Sequence, residues 1–307
     1  MLSTLISTKN HGQYLHDLIA SILSDASPVT ELWICDDGST DQTPEILQSH
    51  AHRKGLRLFR NEQSMGWDRS VSRMFPHVTD PYVLFMSADD YFIPEKLSGL
   101  FRRMRDEDAY VGFGKYVIDE EGAITELAHP GWSARSMDGA DDFMALMAFD
   151  HYAFFATTIF KRSALPRYGE LATPIDPSLS EYVRPDGIGE FRANDWNLVL
   201  RMAVDYPDKF LFQDQFCACF RQVPGQLSSH DKYLGTGRAA YEAAILILKY
   251  LSFYPLRQKV LGSEKFHEAL KSQFYWKISQ IADDQKQGRN FRAIYLPVLK
   301  AAEAMIL

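Results

Sequence analysis

Residues 31–41 read Glu-Leu-Trp-Ile-Cys-Asp-Asp-Gly-Ser-Thr-Asp, a short apolar run that ends in carboxylates and a glycine. The apolar part, residues 31–35, predicts a β-strand, and Gly38 would let the chain turn sharply after it. Thr43, Pro44 and Glu45 then supply an N-cap, a first-turn proline and an early acidic residue, which predict the start of a helix. The stretch therefore indicates a strand, a polar turn and a helix in succession.

The flanking segments repeat this alternation of short apolar runs and longer amphipathic runs. Strands are predicted over residues 2–7, 56–60 and 82–86, and helices over residues 14–24 and 70–78. Such an alternation implies a parallel sheet with right-handed crossovers, whose ligands bind outside the carboxyl ends of the strands. Two acidic pairs, Asp36-Asp37 and Asp89-Asp90, follow strands at that edge.

The second half of the chain has a mixed pattern. Strands are predicted over residues 110–118 and 152–160, and helices dominate from residue 239 onward. Residues 172–193 are rich in proline and glycine and have no clear period, which predicts a mobile loop beside the site, a candidate lid.

Composition excludes several classes of protein. The chain has 307 residues, 46% of them hydrophobic, and a formal net charge of -7, which argues against a protein that grips nucleic acid. Its three cysteines cannot form a disulfide framework, and we expect Cys217 and Cys219 to be buried reduced thiols in a reducing compartment. We also expect neither a secretory leader nor a membrane span, because no apolar run is long enough.

The acidic pairs carry the chemistry. Adjacent carboxylates at Asp89 and Asp90 would repel each other unless a divalent cation lay between them, and the alternative is an ordinary strand-to-turn junction. Asp36 and Asp37 can accept hydrogen bonds from a base or a ribose, and the alternative is a turn that caps a helix. Two acidic pairs at one edge of one sheet indicate a ligand site more specifically than either pair alone.

Four segments of the first half together resemble family 2 glycosyltransferases, which have the GT-A fold. They are Ser7-Thr8-Lys9-Asn10, Asp36-Asp37-Gly38-Ser39-Thr40-Asp41, Asn61-Glu62-Gln63-Ser64-Met65-Gly66 and Ser87-Ala88-Asp89-Asp90. The resemblance implies an α/β protein of Rossmann-like GT-A architecture, with a mixed, mostly parallel sheet flanked by helices. It also implies an inverting enzyme that uses a nucleotide-diphosphate sugar.

The resemblance assigns roles to residues of the first half. Ser7, Thr8 and Asn10 would line the nucleobase pocket, with Asp37 as the partner of the base. Asp89 would face the ribose or assist the metal, and Asp90 would bind Mn²⁺ or Mg²⁺ directly. Ser87 stands where the family usually has a further acid. The remaining candidates for contact with the nucleotide are Asp36, Ser39 and Arg69; for Arg69 the alternative is an exposed helix charge.

In the second half, residues 191–201 resemble the family's Glu-Asp-x-x-Leu-x-x-Arg helix. The resemblance makes Asp195 the catalytic base and places Trp196 on the acceptor side, with Asn194 in place of the usual glutamate. The alternative for Asp195 is a plain helix N-cap. Further on, the family's Arg-x-His segment has Val223 in place of histidine. His230 is a candidate third metal ligand, and the alternative is a solvated loop histidine.

The predicted organisation is a GT-A domain over residues 1–232 and a C-terminal helical extension over residues 233–307. Residues 1–98 would form the nucleotide-binding half of the GT-A domain and residues 99–232 the acceptor-binding half. Residues 249–259 mix aromatic and basic side chains, as helices at a membrane surface do, although helices packed on the domain also fit.

The predicted enzyme moves a sugar, from UDP by preference, to a hydroxyl of a saccharide or lipid-linked acceptor in surface polysaccharide synthesis. We expect it in the cytoplasm, at the inner face of the membrane if the surface contact is real, and a homodimer is left open. Two alternatives remain at this point. A nucleotidyltransferase would need a glycine-rich phosphate loop that the sequence lacks, and a non-catalytic carbohydrate-binding protein on the same fold would need no base.

Overall fold

A computed structural model describes residues 1–128, 142–148, 155–165, 193–207, 209–222, 233–282 and 290–307. The strands are β1 Leu2–Thr8, β2 Val29–Asp37, β3 Leu56–Asn61, β4 Tyr82–Ser87, β5 Tyr91–Phe92, β6 Tyr110–Ile118, β7 Ile124–Ala128, β8 Thr158–Lys161 and β9 Phe210–Arg221. The helices are α1 Gly12–Ile22, α2 Thr43–His50, α3 Trp67–Met74, α4 Pro94–Phe101, α5 Asp142–Ala148, α6 Asn194–Asp205, α7 Arg238–Leu251, α8 Tyr254–Leu261, α9 Glu264–Ser279 and α10 Phe291–Ile306.

The sheet begins as the predicted parallel array. Its first four strands run in the order β3-β2-β1-β4, all parallel, and Ile6 in β1 lies between Ile34 in β2 and Met86 in β4. These three side chains are buried, as expected for strands covered on both faces. The order continues through β8, β6, β9 and β5, with β7 paired to β6, and antiparallel pairs join the parallel ones. The predicted fold class, a mixed and mostly parallel GT-A sheet flanked by helices, is confirmed.

The described residues fall into two compact units. Unit 1 lies within residues 1–133, 153–172 and 205–222 and contains the sheet with α1 to α4. Unit 2 lies within residues 134–152, 173–204 and 223–307 and contains α5, nearly all of α6, and α7 to α10. The helix that carries Asp195 therefore groups with the C-terminal helices. The domain boundaries predicted from the sequence, by contrast, put that helix in the same domain as the sheet.

Two predicted elements have different bounds in the structure. The helix predicted over residues 70–78 is α3, which starts at Trp67 and ends at Met74, just before a short 3-10 turn that contains Pro76. The strand predicted over residues 152–160 is shorter, because residues 155–157 form a 3-10 turn and β8 starts at Thr158. The predicted lid, residues 172–193, lies outside the described residues except for Ala193.

Other expectations from composition also have an outcome. Cys217 and Cys219 are buried free thiols on β9, as predicted, and burial raises the pKa of Cys217 to about 12. In the described ranges, no helix has both the length and the apolar character needed to cross a membrane.

Candidate active site

Asp37, the last residue of β2, accepts several hydrogen bonds at the carboxyl edge of the sheet. Its Oδ1 accepts from Asn61 Nδ2, Met65 N and Ser70 Oγ at 2.7–3.0 Å. Its Oδ2 accepts from Ser64 Oγ at 2.7 Å and Gly66 N at 2.9 Å. Burial alone would raise the pKa of Asp37, but these hydrogen bonds outweigh burial and lower it below its usual value.

This geometry gives Asp37 a structural role, while its predicted contact with the base stays a prediction. A carboxylate that already accepts five hydrogen bonds holds the 61–66 loop and the start of α3, and has little capacity left for a nucleobase. Gly66 precedes α3, so Asp37 supplies from a neighbouring strand the cap that α3 lacks in its own sequence. The structure therefore makes Asp37 an organiser of the loop.

Asn10 joins the loop after β1 to the turn after β2. Its backbone N–H donates to Ser39 Oγ, and its side-chain oxygen accepts from Thr40 N, both at 2.9 Å. Asn10 has a positive φ of 58°, a conformation that asparagine tolerates better than most residues. Gly38 also has a positive φ, and a Cβ there would lie 2.9 Å from Ser64 N. Asn10 and Ser39, both predicted to bind the nucleotide, thus fix the shape of the edge.

Some buried oxygen atoms at this edge have no hydrogen-bond partner in the described part of the chain. They are Thr8 Oγ1 at the end of β1, Asp36 Oδ2 in β2 and Asp90 Oδ2 after β4. Thr8 lies opposite Asp36 in the β1–β2 register. The Nε of Arg60 is 3.5 Å from Asp36 Oδ2, and that arginine is largely exposed. Because an unsatisfied buried polar atom costs free energy, a ligand or cation bound here would be stabilised.

Asp89 and Asp90 follow β4 and are both buried. Asp90 Oδ1 accepts from the backbone N–H of Arg221 at 2.9 Å. Burial raises the pKa of Asp90 well above its usual value, and the neighbouring Asp89 raises it further. The turn therefore holds a carboxyl group whose ionised form needs a positive partner.

Arg221, the last residue of β9, was not among the predicted site residues. Its Nε donates to the carbonyl oxygen of Asp89 at 3.0 Å, and its Nη1 donates to the carbonyl oxygens of Asp119 and Glu120 at 3.1 and 2.7 Å. Its guanidinium carbon lies 4.8 Å from the ring centroid of Tyr14. Arg221 thus ties the acidic turn to the β6–β7 turn. In the sequence, Arg221 is the arginine of the segment that resembles Arg-x-His. That resemblance could have indicated a role for this arginine as well as for the histidine position.

The acidic turn fits a divalent cation. Asp90 Oδ2 is buried without a hydrogen-bond partner among the described residues, and a metal ion would supply the positive charge that its ionised form needs. In the described ranges no three His, Cys, Asp or Glu side chains form a group that would hold a metal. Asp89 and Asp90 would therefore share the ion with oxygens of a bound phosphate and water, as is common for Mg²⁺.

Asp195 lies in unit 2, in the first turn of α6, and is half-buried. Its Oδ1 accepts from Trp196 N at 2.8 Å, so the carboxylate sits where the helix dipole favours negative charge. Trp196 is only 4% exposed, and its indole N–H donates to Leu146 O at 2.9 Å. Trp196 therefore packs within unit 2, and its predicted place on the acceptor side stays a prediction.

The sequence profile described as "Glycosyl transferase family 2" matches residues 3–169, which is more than half of the chain and includes all of the first-half motifs. The chain belongs to glycosyl transferase family 2. Thr8, Asp36, Asp89 and Asp90 thus lie at the strand edge of a family 2 glycosyltransferase.

Curated relatives are glycosyltransferases as well. A GalNAc(5)-diNAcBac-PP-undecaprenol beta-1,3-glucosyltransferase of Campylobacter jejuni is 24% identical over 99% of this chain and 89% of its own. The putative glycosyltransferase EpsE of Bacillus subtilis is 30% identical over 44% of this chain and 51% of its own. The match to the Escherichia coli glucosyltransferase WfaP, at 25% identity, likewise spans about half of that relative, 49%.

Solved structures share the fold. Staphylococcus aureus TarS 1-349 in complex with UDP-GlcNAc superimposes with a TM-score of 0.59 at 14% identity, over 100% of this chain and 81% of TarS. The mannosyltransferase PcManGT of Pyrobaculum calidifontis, in complex with GDP-Man and Mn²⁺, has a TM-score of 0.54 at 16% identity, over 99% of this chain and 80% of its own. At these identities the likeness concerns the fold.

The remaining predicted residues have less decisive surroundings. Ser7 and Ser87 are paired across β1 and β4 at the same edge, where Ser87 is exposed. Arg69 is exposed on α3. His230 and Val223 lie outside the described residues.

Proposed function

We propose that this family 2 glycosyltransferase transfers a sugar from a nucleotide-diphosphate donor, UDP by preference, to a hydroxyl of an acceptor. The observation that carries the proposal is a set of buried oxygens at the carboxyl edge of the parallel strands, in Thr8, Asp36 and Asp90, that have no hydrogen-bond partner within the described residues. Ligands of open α/β sheets bind outside that edge. The solved complexes of TarS with UDP-GlcNAc and PcManGT with GDP-Man support a nucleotide-sugar donor.

In this proposal the two halves of the donor meet different residues. Asp36 and Thr8 offer a carboxylate oxygen and a hydroxyl to the nucleoside. Asp89 and Asp90 would hold Mn²⁺ or Mg²⁺, and Arg221 keeps their turn in place. The ion would stabilise the negative charge that grows on the departing diphosphate.

Asp195 is the proposed base. It would accept the proton of the acceptor hydroxyl as that oxygen attacks the sugar carbon from the face opposite the diphosphate, which inverts the configuration. The backbone N–H of Trp196 donates to Oδ1 of this carboxylate and holds it at the start of the helix.

The test compares wild type with Asp90→Asn and Asp195→Asn, using UDP-sugars, a saccharide acceptor and Mn²⁺. Asp195→Asn should bind the donor normally and lose turnover by about 10²–10⁴-fold, the usual contribution of a general base. Asp90→Asn should lose the Mn²⁺-dependent part of donor binding, measured by calorimetry with and without chelator. Normal turnover of Asp195→Asn would show that the base is wrong.

Product analysis separates the proposal from other chemistry on the same fold. Release of free nucleoside diphosphate means glycosyl transfer, whereas formation of a nucleotide sugar from a sugar phosphate would mean nucleotidyl transfer. A carbohydrate-binding protein without activity would release neither product, even from donor alone.

We further propose a saccharide or lipid-linked acceptor, in surface polysaccharide synthesis, and a place of action at the inner face of the cytoplasmic membrane. The C. jejuni relative, whose named acceptor contains PP-undecaprenol, supports a lipid-linked acceptor. At the α7–α8 junction Phe253 and Tyr254 are 58% and 68% exposed, and no acidic residue occurs between Glu242 and Glu264. Exposed aromatics beside Arg257 and Lys259 are typical of a surface that touches anionic lipid.

A further inference from the structure

Unit 2 contains a buried ion pair between two residues of α7. Arg238 Nε donates to Glu242 Oε1 at 2.7 Å, and the two side chains are 5% and 0% exposed. Apolar residues of similar volume often stabilise a protein as well as a buried ion pair or better, so such a pair is weak evidence for a gain in stability. We therefore expect this ion pair to have a role other than stability.

The second oxygen of Glu242 reaches α6. Glu242 Oε2 accepts from the backbone N–H of Ala193 at 2.9 Å and from Tyr233 Oη at 3.0 Å. Ala193 directly precedes α6, so this carboxylate holds the chain at the point where the helix begins. Backbone N–H groups at a helix start have no partner within the helix, and a carboxylate is a favourable one.

Side chains of α7 also bind α6 at a second point, which lies one helical turn further along α6. Lys249 Nζ donates to Asn197 Oδ1 at 2.9 Å, and Tyr250 Oη lies 3.0 Å from both Asn197 Oδ1 and Asn197 O. The held residues, 193 and 197, lie on either side of Asp195. Side chains of α7 thus fix the backbone on both sides of the proposed base.

We propose that Glu242 is a positioning residue for Asp195, and that its grip on Ala193, with that of Tyr250 on Asn197, aligns the base with the acceptor hydroxyl. The inference rests on the proposed function, in which Asp195 takes the acceptor proton. Glu242 acts through the backbone of α6 and takes no part in proton transfer itself. A displacement of about 1 Å in a catalytic group can lower turnover by about 10²-fold.

The experiment measures acceptor-dependent turnover and donor KM for Glu242→Gln, Tyr250→Phe, Asp195→Asn and the double variant Asp195→Asn/Glu242→Gln. Glutamine keeps the shape of Glu242 but replaces one carboxylate oxygen with a donor. We expect Glu242→Gln to lower kcat by about 10–100-fold with donor KM within about twofold of wild type. Tyr250→Phe should lower kcat by a smaller factor with the same unchanged KM.

The double variant supplies a readout that a purely structural role would not give. If Glu242 works through Asp195, adding Glu242→Gln to Asp195→Asn should lower kcat no further. Asp108→Asn is the matched control, because it removes a buried carboxylate of unit 1 that binds Arg105, and its kcat should stay near wild type.

The outcomes keep the two proposals apart. Wild-type turnover of Asp195→Asn overturns the proposed base and the role of Glu242 together. An inactive Asp195→Asn beside a fully active, folded Glu242→Gln overturns the role of Glu242 alone, as do losses that multiply in the double variant. If circular dichroism shows that Glu242→Gln does not fold, Tyr250→Phe decides, and wild-type kcat in that folded variant overturns the proposal.

Discussion

Replacing Asp37 with asparagine is expected to loosen the 61–66 loop and to destabilise unit 1. The amide oxygen can replace Oδ1, which accepts from Asn61, Met65 and Ser70, but the amide NH₂ then takes the place of Oδ2. Ser64 can rotate its hydroxyl to accept, whereas the backbone N–H of Gly66 loses its acceptor. A fully buried unsatisfied donor costs about 1–3 kcal/mol, and the part-buried N–H of Gly66 belongs at the low end of that range. With weaker neutral hydrogen bonds at the other oxygen, the expected loss is roughly 1–3 kcal/mol.

Asp36→Asn is the matched control for this prediction. Asparagine there keeps an oxygen for Ser39 N, and in the described ranges the oxygen that it replaces has the exposed Arg60 Nε at 3.5 Å as its charged partner. An ion pair with an exposed partner contributes about 0–1 kcal/mol, so the stability of Asp36→Asn should stay within about 1 kcal/mol of wild type. Its affinity for the nucleotide should fall, because Asp36 is the proposed contact.

Hydrogen exchange and urea unfolding measure the two variants. In Asp37→Asn the amides of Met65 and Gly66 should exchange faster, by about tenfold for each 1.4 kcal/mol lost in opening the loop. Because the folded-state pKa of Asp37 is lowered, its contribution is complete at neutral pH and is lost as the pH falls below about 4. Asp37→Asn should lack this acid-dependent part. Wild-type exchange in Asp37→Asn, together with lost nucleotide binding, would refute the reasoning and restore Asp37 as a partner of the base.

Two further predictions concern Arg221 and the α7–α8 junction. Arg221→Gln should lower Mn²⁺-dependent donor turnover by at least about tenfold, because the carbonyl of Asp89 loses the guanidinium that holds the acidic turn, and Mn²⁺ titration of turnover checks it. An unchanged Mn²⁺ requirement would contradict the role of Arg221. Phe253→Ser/Tyr254→Ser should reduce sedimentation with anionic phosphatidylglycerol vesicles while leaving turnover of a soluble acceptor unchanged, and equal sedimentation would end the membrane proposal.

Local patterns in the sequence predicted most elements of the parallel half. The apolar runs of β1, β2 and β4 are largely buried, whereas β3 at the edge of the sheet is mostly half-buried or exposed. Thr43-Pro44-Glu45 marks the start of α2 as expected. The start of α3 differs from the prediction because the two residues before it, Met65 and Gly66, donate their backbone N–H groups to Asp37, a residue distant in sequence. No local pattern around residue 66 records that contact.

Sequence alone determined which segments alternate, and hence that Asp36 and Asp90 both lie at the carboxyl ends of strands on one edge of the sheet, because periodicity and chain order decide a parallel sheet. Only the tertiary structure decided how the individual polar groups are used. Asp36 and Asp37 are chemically identical neighbours, yet Asp37 accepts five hydrogen bonds while Asp36 Oδ2 has no hydrogen-bond partner among the residues that the structure describes. The difference arises because successive residues of a strand point to opposite faces of the sheet. The hydrogen-bond donors on each face come from distant parts of the chain.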